Sequence, residues 1–299
     1  MLFASIDIGS NAARLLIADV FDCTQAPSSA SHVAFVRVPL RLGEDVFHDG
    51  LISGPRIVNL IKTLKAFHHL IDIYAPVDFV ICATAAMREA SNREAILLRV
   101  KKETGLTIRI IDGQEEAKII RESNNLFSKY QDKTLMFVDV GGGSTEISVL
   151  HDNNFITSRS FNVGTLRMLH AKIEKEHWDE MLRWVKQSTL PFNKIVCIGS
   201  GGNINKLVKL FGDKTASRIS VKELNEGYQK LKKMSVVERM EKLQMRPDRA
   251  DVIVPAAKIF SSLMPAANID TVLAPKLGLV DGLIYELSQN AGNGGDILH

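Results

Sequence analysis

Short apolar runs that end in small polar residues alternate with stretches of helical spacing, and the alternation occurs twice along the chain. Residues 2–8 of LFASIDIGSN predict a buried strand, with RLLIADVF as its hairpin partner. The small and polar CTQAPSSASH reads as a loop and VAFVRVPLRL as the next strand. LISGPRIVNLIKTLKAFHHLIDIY has the pattern of an amphipathic helix, with Ser53 near its start and Pro55 in its first turn. VDFVICATAA is a further buried strand. The spacing of Ser91 and Glu94 predicts a capping box for NREAILLRVKKE, which Gly105 ends. LTIRIID then predicts a strand and QEEAKIIRESNNLFSKY a helix.

The second half restarts the pattern. TLMFVDVGG, TEISVL and NFITSRSFN predict a meander, with HDNN supplying the turn between the last two. NVGTLRML opens a helical region, and NKIVCIGSGGNINKLVKLF reads as strand, glycine turn and helix. Ser220 with Glu223, and Ser235 with Glu238, predict two more capping boxes. ADVIVPAAKIFSSLM and LVDGLIYELSQ predict helices, and the tail NAGNGGDILH reads as frayed. A unit too long for a solenoid period thus occurs twice. Two α/β domains are expected, 1–122 and 123–299, with the C-terminal helix at about 281–299 packing back on the first.

Composition narrows the classes. A chain of 299 residues with 45% hydrophobic positions suits two ordinary domains. A net charge of +3 with a pI near 8.7 gives no clustered basic face of the kind that nucleic acid needs, but leaves room for a local basic channel toward an anionic substrate. The odd count of three cysteines argues against a disulfide framework. Cys82 and Cys197 lie in apolar runs and read as small core residues, and Cys23 has no partner at metal-ligand spacing. The N-terminus lacks the basic, apolar and cleavage segments of a signal peptide, and no apolar run approaches the ~20 residues of a membrane span. The expectation is a soluble cytoplasmic protein with no membrane partner and no specific nucleic acid.

The candidate chemistry follows the repeated pattern. Asp7 and Asp139 each end a buried strand and precede a turn, Gly9-Ser10-Asn11 in one case and Gly141-Gly142-Gly143-Ser144 in the other. Turns without Cβ atoms let backbone N–H groups approach an anion, and an adjacent carboxylate can hold a divalent cation. Taken singly, a strand-end aspartate satisfies its own turn; taken as a pair, these two point to metal or phosphate chemistry. Glu115 and Glu116 open a helix, where acidic groups also simply complement the helix dipole. With Glu146, seven residues past Asp139, they are candidates for orienting a water. Arg88 precedes a helix start, where a positive charge opposes the dipole and an anion partner would offset it. GSGGN at 199–203 fails the dinucleotide pattern because residue 204 is Ile, so it serves either phosphate or close helix–strand packing. No Walker sequence and no HExxH is present.

DIGSNAARLLIADV, ATAAMREASN, IIDGQEEAKII, VDVGGGSTEIS, SRSFNVGTLRM, GSGGNINKL and RPDRADVIVPA stand in this order over nearly the whole chain. In this the sequence resembles the exopolyphosphatase and guanosine pentaphosphate phosphohydrolase family. The resemblance implies a duplicated ribonuclease-H-like fold of the actin-like ATPase superfamily, with an interdomain cleft. It implies release of terminal phosphate from inorganic polyphosphate, or of the 5′ γ-phosphate from pppGpp, with Mg²⁺ as cofactor. By the same implication Glu116 activates water, Asp139 and Glu146 hold the metal or the water, and Ser10, Asn11, Arg88 and the Gly141–Ser144 loop hold phosphate. Asp7 is expected as a second metal ligand, and a homodimer follows by family analogy. Three departures stand out. Ala12 replaces a second Ser after GSN, Asn203 replaces a Thr after GSGG, and the chain is similar to the short members, which carry no HD-type helical domain. Two other readings remain: a kinase or ATPase of the same superfamily, for which GSGG is the adenosine candidate, and a non-catalytic sensor of polyphosphate or alarmone, kept open by Ala12.

Overall fold

Strand β1 (Leu2–Ile8) pairs antiparallel with β2 (Ala13–Val20), and β2 with β3 (Ala30–Val38). The computed structural model describes residues 1–21, 30–122, 130, 133–171 and 173–292. After β3 come α1 (Leu42–Asp49), α2 (Gly54–Tyr74), β4 (Asp78–Ala83), α3 (Ala85–Glu89), α4 (Arg93–Thr104), β5 (Arg109–Ile110) and α5 (Gly113–Glu122). Strand β4 adds parallel to β1, and β5 parallel to β4.

The second set begins with β6 (Thr134–Val140), β7 (Thr145–His151) and β8 (Asn154–Phe161), again an antiparallel meander. It continues through α6 (Thr165–His170), α7 (Lys175–Thr189), β9 (Ile195–Ser200), α8 (Gly202–Phe211), β10 (Arg218–Ser220), α9 (Val221–Lys233), α10 (Val236–Leu243), α11 (Pro247–Ala250), α12 (Ile253–Ala266) and β11 (Thr271–Leu273). A C-terminal helix spans Leu279–Gly292.

The sheets are ordered β3-β2-β1-β4-β5 and β10-β11-β9-β6-β7-β8. Apart from the antiparallel edge β10, the second repeats the first: three meandering strands, then two added in parallel beside the meander's first strand. This is the ribonuclease-H-like arrangement, present twice. The chain divides into one unit of Met1–Asn125 with Leu277–His299 and another of Leu126–Lys276. The expected boundary between 122 and 123 borders residues 123–129, which lie outside those described, as do Cys23 and the end of the tail.

In the first unit one sheet face, with Phe3, Leu16, Ala18 and Cys82, is covered by Val280, Leu283 and Ile284 of the C-terminal helix and by Ile119 and Ile120 of α5. In the second, Met136, Val138, Ile147, Val149 and Cys197 face a helical layer that includes Ile204, Leu207, Ile253 and Phe260. The opposite face carries Leu135, Phe137, Leu150 and Ile198. Burial pushes the Cys82 thiol up to about 12 and raises Cys197 further, so both are inert core groups. Among the described residues no helix is long and apolar enough to cross a membrane.

Two local expectations need correction. The segment after β3 turns at Arg41, in the left-handed region at φ 53°, into the helix α1, where the sequence reading carried a strand through to Leu42. Ser91 and Glu94 form no capping box: α4 starts at Arg93, and the Asn92 side chain instead brackets Ile52, accepting from its N–H at 3.0 Å and donating to its carbonyl at 2.8 Å. The boxes at Ser220 and Ser235 form as expected.

Candidate active site

The strand ends of the second unit set side chains in a transverse row. Asp139 on β6 lies directly across from Glu146 on β7, Glu146 across from Ser160 on β8, and Asp139 beside Ser200 on β9. Register neighbours project to one face of a sheet, so four oxygen-bearing side chains share it. Ser160 donates from Oγ to Glu146 Oε1 at 2.8 Å, and Glu146 is 2% exposed. Carboxylate oxygens of Asp139 and Glu146 come within 4.8 Å of each other. Two charges at that separation repel by roughly 3 kcal/mol at an effective dielectric of about 20. A cation removes that repulsion, and a donor set made only of oxygens suits a hard ion such as Mg²⁺.

The loop between β6 and β7 is held from behind. Gly141 N–H donates to the Ser144 carbonyl at 2.9 Å, closing the turn. The Gly141 carbonyl accepts from Thr165 N–H, the Gly142 carbonyl from Leu166 and Arg167 N–H, and the Gly143 carbonyl from Arg167 Nε at 2.8 Å. The opening turn of α6 thus engages every glycine carbonyl of the loop. The approach requires Gly164, where a Cβ would fall 2.4 Å from the Gly143 carbonyl carbon and 2.5 Å from Ser144 N. Among the described residues, the N–H groups of Gly142, Gly143 and Ser144 donate to no other protein group. Such a run of amides can surround an anion.

The first unit builds the same turn with other side chains. Gly9 N–H donates to the Ala12 carbonyl at 3.1 Å. The Ser10 and Asn11 carbonyls accept from Gly43 and Arg41 N–H at the start of α1, both at 2.9 Å. Ser10 thereby corresponds to Gly142, Asn11 to Gly143, and Ala12 to Ser144. Ala12 is fully buried, so its methyl group belongs to the core. Asp7, expected as a metal ligand, accepts from Arg14 Nη1, its neighbour across the hairpin. Its burial raises its pKa against the lowering effect of that guanidinium.

Asp112 caps α5 by accepting from Gln114 and Glu115 N–H, both at 2.8 Å. This separates the two glutamates that follow. Glu115 pairs with Arg109 at 2.7 Å, while Glu116 turns inward and is 7% exposed. Arg88 closes the short α3, and its Nη1 donates to the Ile111 carbonyl at 2.9 Å, just ahead of α5. In the GSGG turn Gly201 adopts φ 88°, and a Cβ there would lie 2.9 Å from Asp139 Oδ1. Arg249, from RPDRAD, donates to the Gly202 carbonyl and occupies the space of a Gly202 side chain.

Sequence reasoning missed Arg14, Ser160, Gly164 and Arg249. Arg14 could have been found, because it follows Asp7 at the interval by which Glu146 follows Asp139.

The model of the Ppx/GppA phosphatase family matches residues 24–291. The chain is 26% identical to a bifunctional 3-dehydroquinate synthase/phosphatase of Fusobacterium nucleatum over 97% of its own length, and spans 47% of that longer protein. It is 23% identical to exopolyphosphatase 1 of Mycobacterium bovis, over 98% of this chain and 90% of that one. A crystal structure of an exopolyphosphatase from Cytophaga hutchinsonii superposes with a TM-score of 0.84 over 100% of both chains at 21% identity, which shows a shared fold.

Proposed function

Because the chain belongs to the Ppx/GppA phosphatase family, and with it to the phosphoanhydride hydrolases, we propose that it releases orthophosphate from the end of inorganic polyphosphate, with the γ-phosphate of pppGpp as a second substrate. The observation that carries this reading is the amide-lined Gly141–Ser144 loop beside the Asp139–Glu146 pair. An anion cradle next to a hard-cation site is what a terminal phosphate with a divalent counter-ion requires.

In this reading Asp139 and Glu146 hold Mg²⁺, which when bound offsets charge on the transferred phosphoryl group. The amides of Gly142, Gly143 and Ser144 grip that group's oxygens. Ser10, Asn11 and Arg88 bind the same substrate, the guanidinium by its two-pronged fork. Glu116 accepts a proton from the attacking water; its burial keeps the carboxylate from being solvated away from that task. Phosphoryl transfer depends on positioning and charge neutralisation more than on covalent chemistry, and these residues supply both. A homodimer is taken from the family resemblance, and a cytoplasmic setting from the sequence reading.

The test is phosphate release from long polyphosphate, short polyphosphate and pppGpp under Mg²⁺, with wild type and Glu116→Gln side by side. Release from at least one substrate, reduced by about 10²-fold or more in the variant, is expected. Wild-type protein that releases none from any of the three would overturn the proposal.

A further inference from the structure

Strand β9 ends on a hydroxyl for which the second unit has no use of its own. Ser200 is 7% exposed, its Oγ is buried, and among the described residues that oxygen has no hydrogen-bond partner. Buried hydroxyls are nearly always paired, because an orphaned one loses its hydration without replacing it. Nor does the sheet demand the group. The first unit has the same parallel strand pair, and there the neighbour of Asp7 on β4 is Cys82, a fully buried thiol.

Ser200 also stands beside the carboxylates. It is the register neighbour of Asp139 on β9, as Glu146 is on β7, so the aspartate has an oxygen-bearing side chain on either side. The chain leaves β9 through Gly201 at φ 88°, and a Cβ there would stand 2.9 Å from Asp139 Oδ1. The turn that follows Ser200 is thus pressed against that carboxylate, which ties the place of the hydroxyl to that of Asp139. In the first unit the two positions flanking the aspartate hold Arg14 and Cys82, a guanidinium and a thiol that burial pushes up to about 12. Neither suits a hard cation, whereas both flanking groups of the second unit do.

We infer that the Ser200 hydroxyl is a third protein oxygen for the divalent cation, in one row with Asp139 and Glu146. The inference rests on the metal site of the phosphoanhydride reading above and adds a ligand to it. A hydroxyl coordinates without bringing another negative charge, as the serine or threonine of nucleotide-binding loops does for Mg²⁺. It explains why a buried oxygen is kept at a position where the first unit carries sulfur.

The orphaned hydroxyl has opposite consequences for the metal-free and the metal-bound protein, and the experiment reads both. It measures Mn²⁺ and Cd²⁺ binding to the full chain by calorimetry without substrate, and thermal unfolding in EDTA. Ser200→Ala is expected to weaken Mn²⁺ binding roughly tenfold or more, at least what a lost supporting hydrogen bond costs. In EDTA the same variant should melt at or above the wild-type temperature, because an unsatisfied group has gone. Ser200→Cys should lose Mn²⁺ affinity to a similar extent and bind Cd²⁺ about tenfold more tightly than wild type, whose three cysteines set the background, since a thiolate is a soft ligand. Unchanged Mn²⁺ affinity in Ser200→Ala overturns the inference. A lower melting temperature in EDTA with Mn²⁺ affinity intact makes the serine a packing residue, and weaker tripolyphosphate binding with Mn²⁺ affinity intact gives the hydroxyl to the anion; both overturn it. If Asp139→Asn abolishes Mn²⁺ binding while Ser200→Ala leaves it unaltered, the metal site stands and only its third ligand falls. Wild type that binds no Mn²⁺ removes the site altogether. Wild type that binds Mn²⁺ through Ser200 yet releases phosphate from no substrate leaves the inference standing and removes the hydrolase reading.

Discussion

Arg14 occupies in the first unit the register position that Glu146 occupies in the second: each faces, across a hairpin, the aspartate seven residues before it. One backbone device therefore carries opposite charge in its two copies. In the first copy the aspartate is paired with a guanidinium; in the second it faces a carboxylate.

The Ser160 hydroxyl holds Glu146 through Oε1, which would fix the orientation of this carboxylate in its proposed role as metal ligand. Removal of such a supporting hydrogen bond costs about 10–100-fold in metal affinity in other sites. Ser160→Ala should accordingly raise the Mg²⁺ concentration for half-maximal activity by roughly tenfold or more, with kcat at saturating metal much less affected. A metal titration of initial rates checks this, and unchanged half-saturation would separate Glu146 from the metal.

Gly164→Ala should cripple catalysis without unfolding the protein. The new methyl would meet backbone atoms of the glycine loop at 2.4–2.5 Å, which no side-chain rotamer relieves. Either the loop or α6 must move, and the amide array loses its geometry. A drop of about 10²-fold or more in kcat/KM is expected, in line with the loss of preorganised donors, while the far-ultraviolet circular dichroism spectrum stays that of wild type.

Gly282 plays the corresponding packing role for the C-terminal helix. A Cβ there would stand 2.5 Å from Ile119 Cγ2 and 2.7 Å from the Ile119 carbonyl oxygen. Overpacking of this kind typically costs about 1–3 kcal/mol. Gly282→Ala should lower the urea midpoint to match, and hydrogen exchange should show faster opening of residues 279–292 and of α5 before the rest of the first unit.

The seating of that helix should also depend on pH. His32 Nε2 lies 2.8 Å from Asp281 Oδ1, and this bond raises the histidine pKa above its ordinary 6.5, against a smaller opposing effect of burial. Because the folded-state value is raised, the stabilisation is complete below about pH 6.5 and is lost as pH rises through the folded value. Protection of the C-terminal helix against exchange should therefore decline from pH 6 toward alkaline pH. In His32→Gln that decline should flatten, and an unaltered slope in the variant would assign the effect elsewhere.

The duplicated strands were legible because buried strands leave a short, nearly continuous apolar run followed by an abrupt turn of small polar residues, as at Asp7 and Asp139. The Ser220 and Ser235 boxes were legible because a capping box is a local signal. The Ser91 pattern misled because Asn92, one residue later, has a long-range use bracketing Ile52. Strands of three residues, β10 and β11, carry too little pattern to stand out and exist because the sheet offers them partners. At the site, residue types near glycine turns could be picked out, but not what each side chain touches. Glu115 and Glu116 are adjacent in sequence and only their packing separates them, one spent on Arg109 and one buried. Ser160 acts through cross-strand register, which no linear spacing displays until the hairpin is drawn, whereas Arg14 shares with Glu146 the interval of seven residues from its aspartate.

The embrace of the Gly141–Gly143 carbonyls by α6 has an outcome for selectivity. Peptide planes whose oxygens are already bound on one side cannot swing round to offer those oxygens to a passing metal ion. On the proposed reading the loop therefore turns its N–H groups to negative charge, and it does so without rearranging, so little ordering entropy would stand between an arriving phosphate and its contacts.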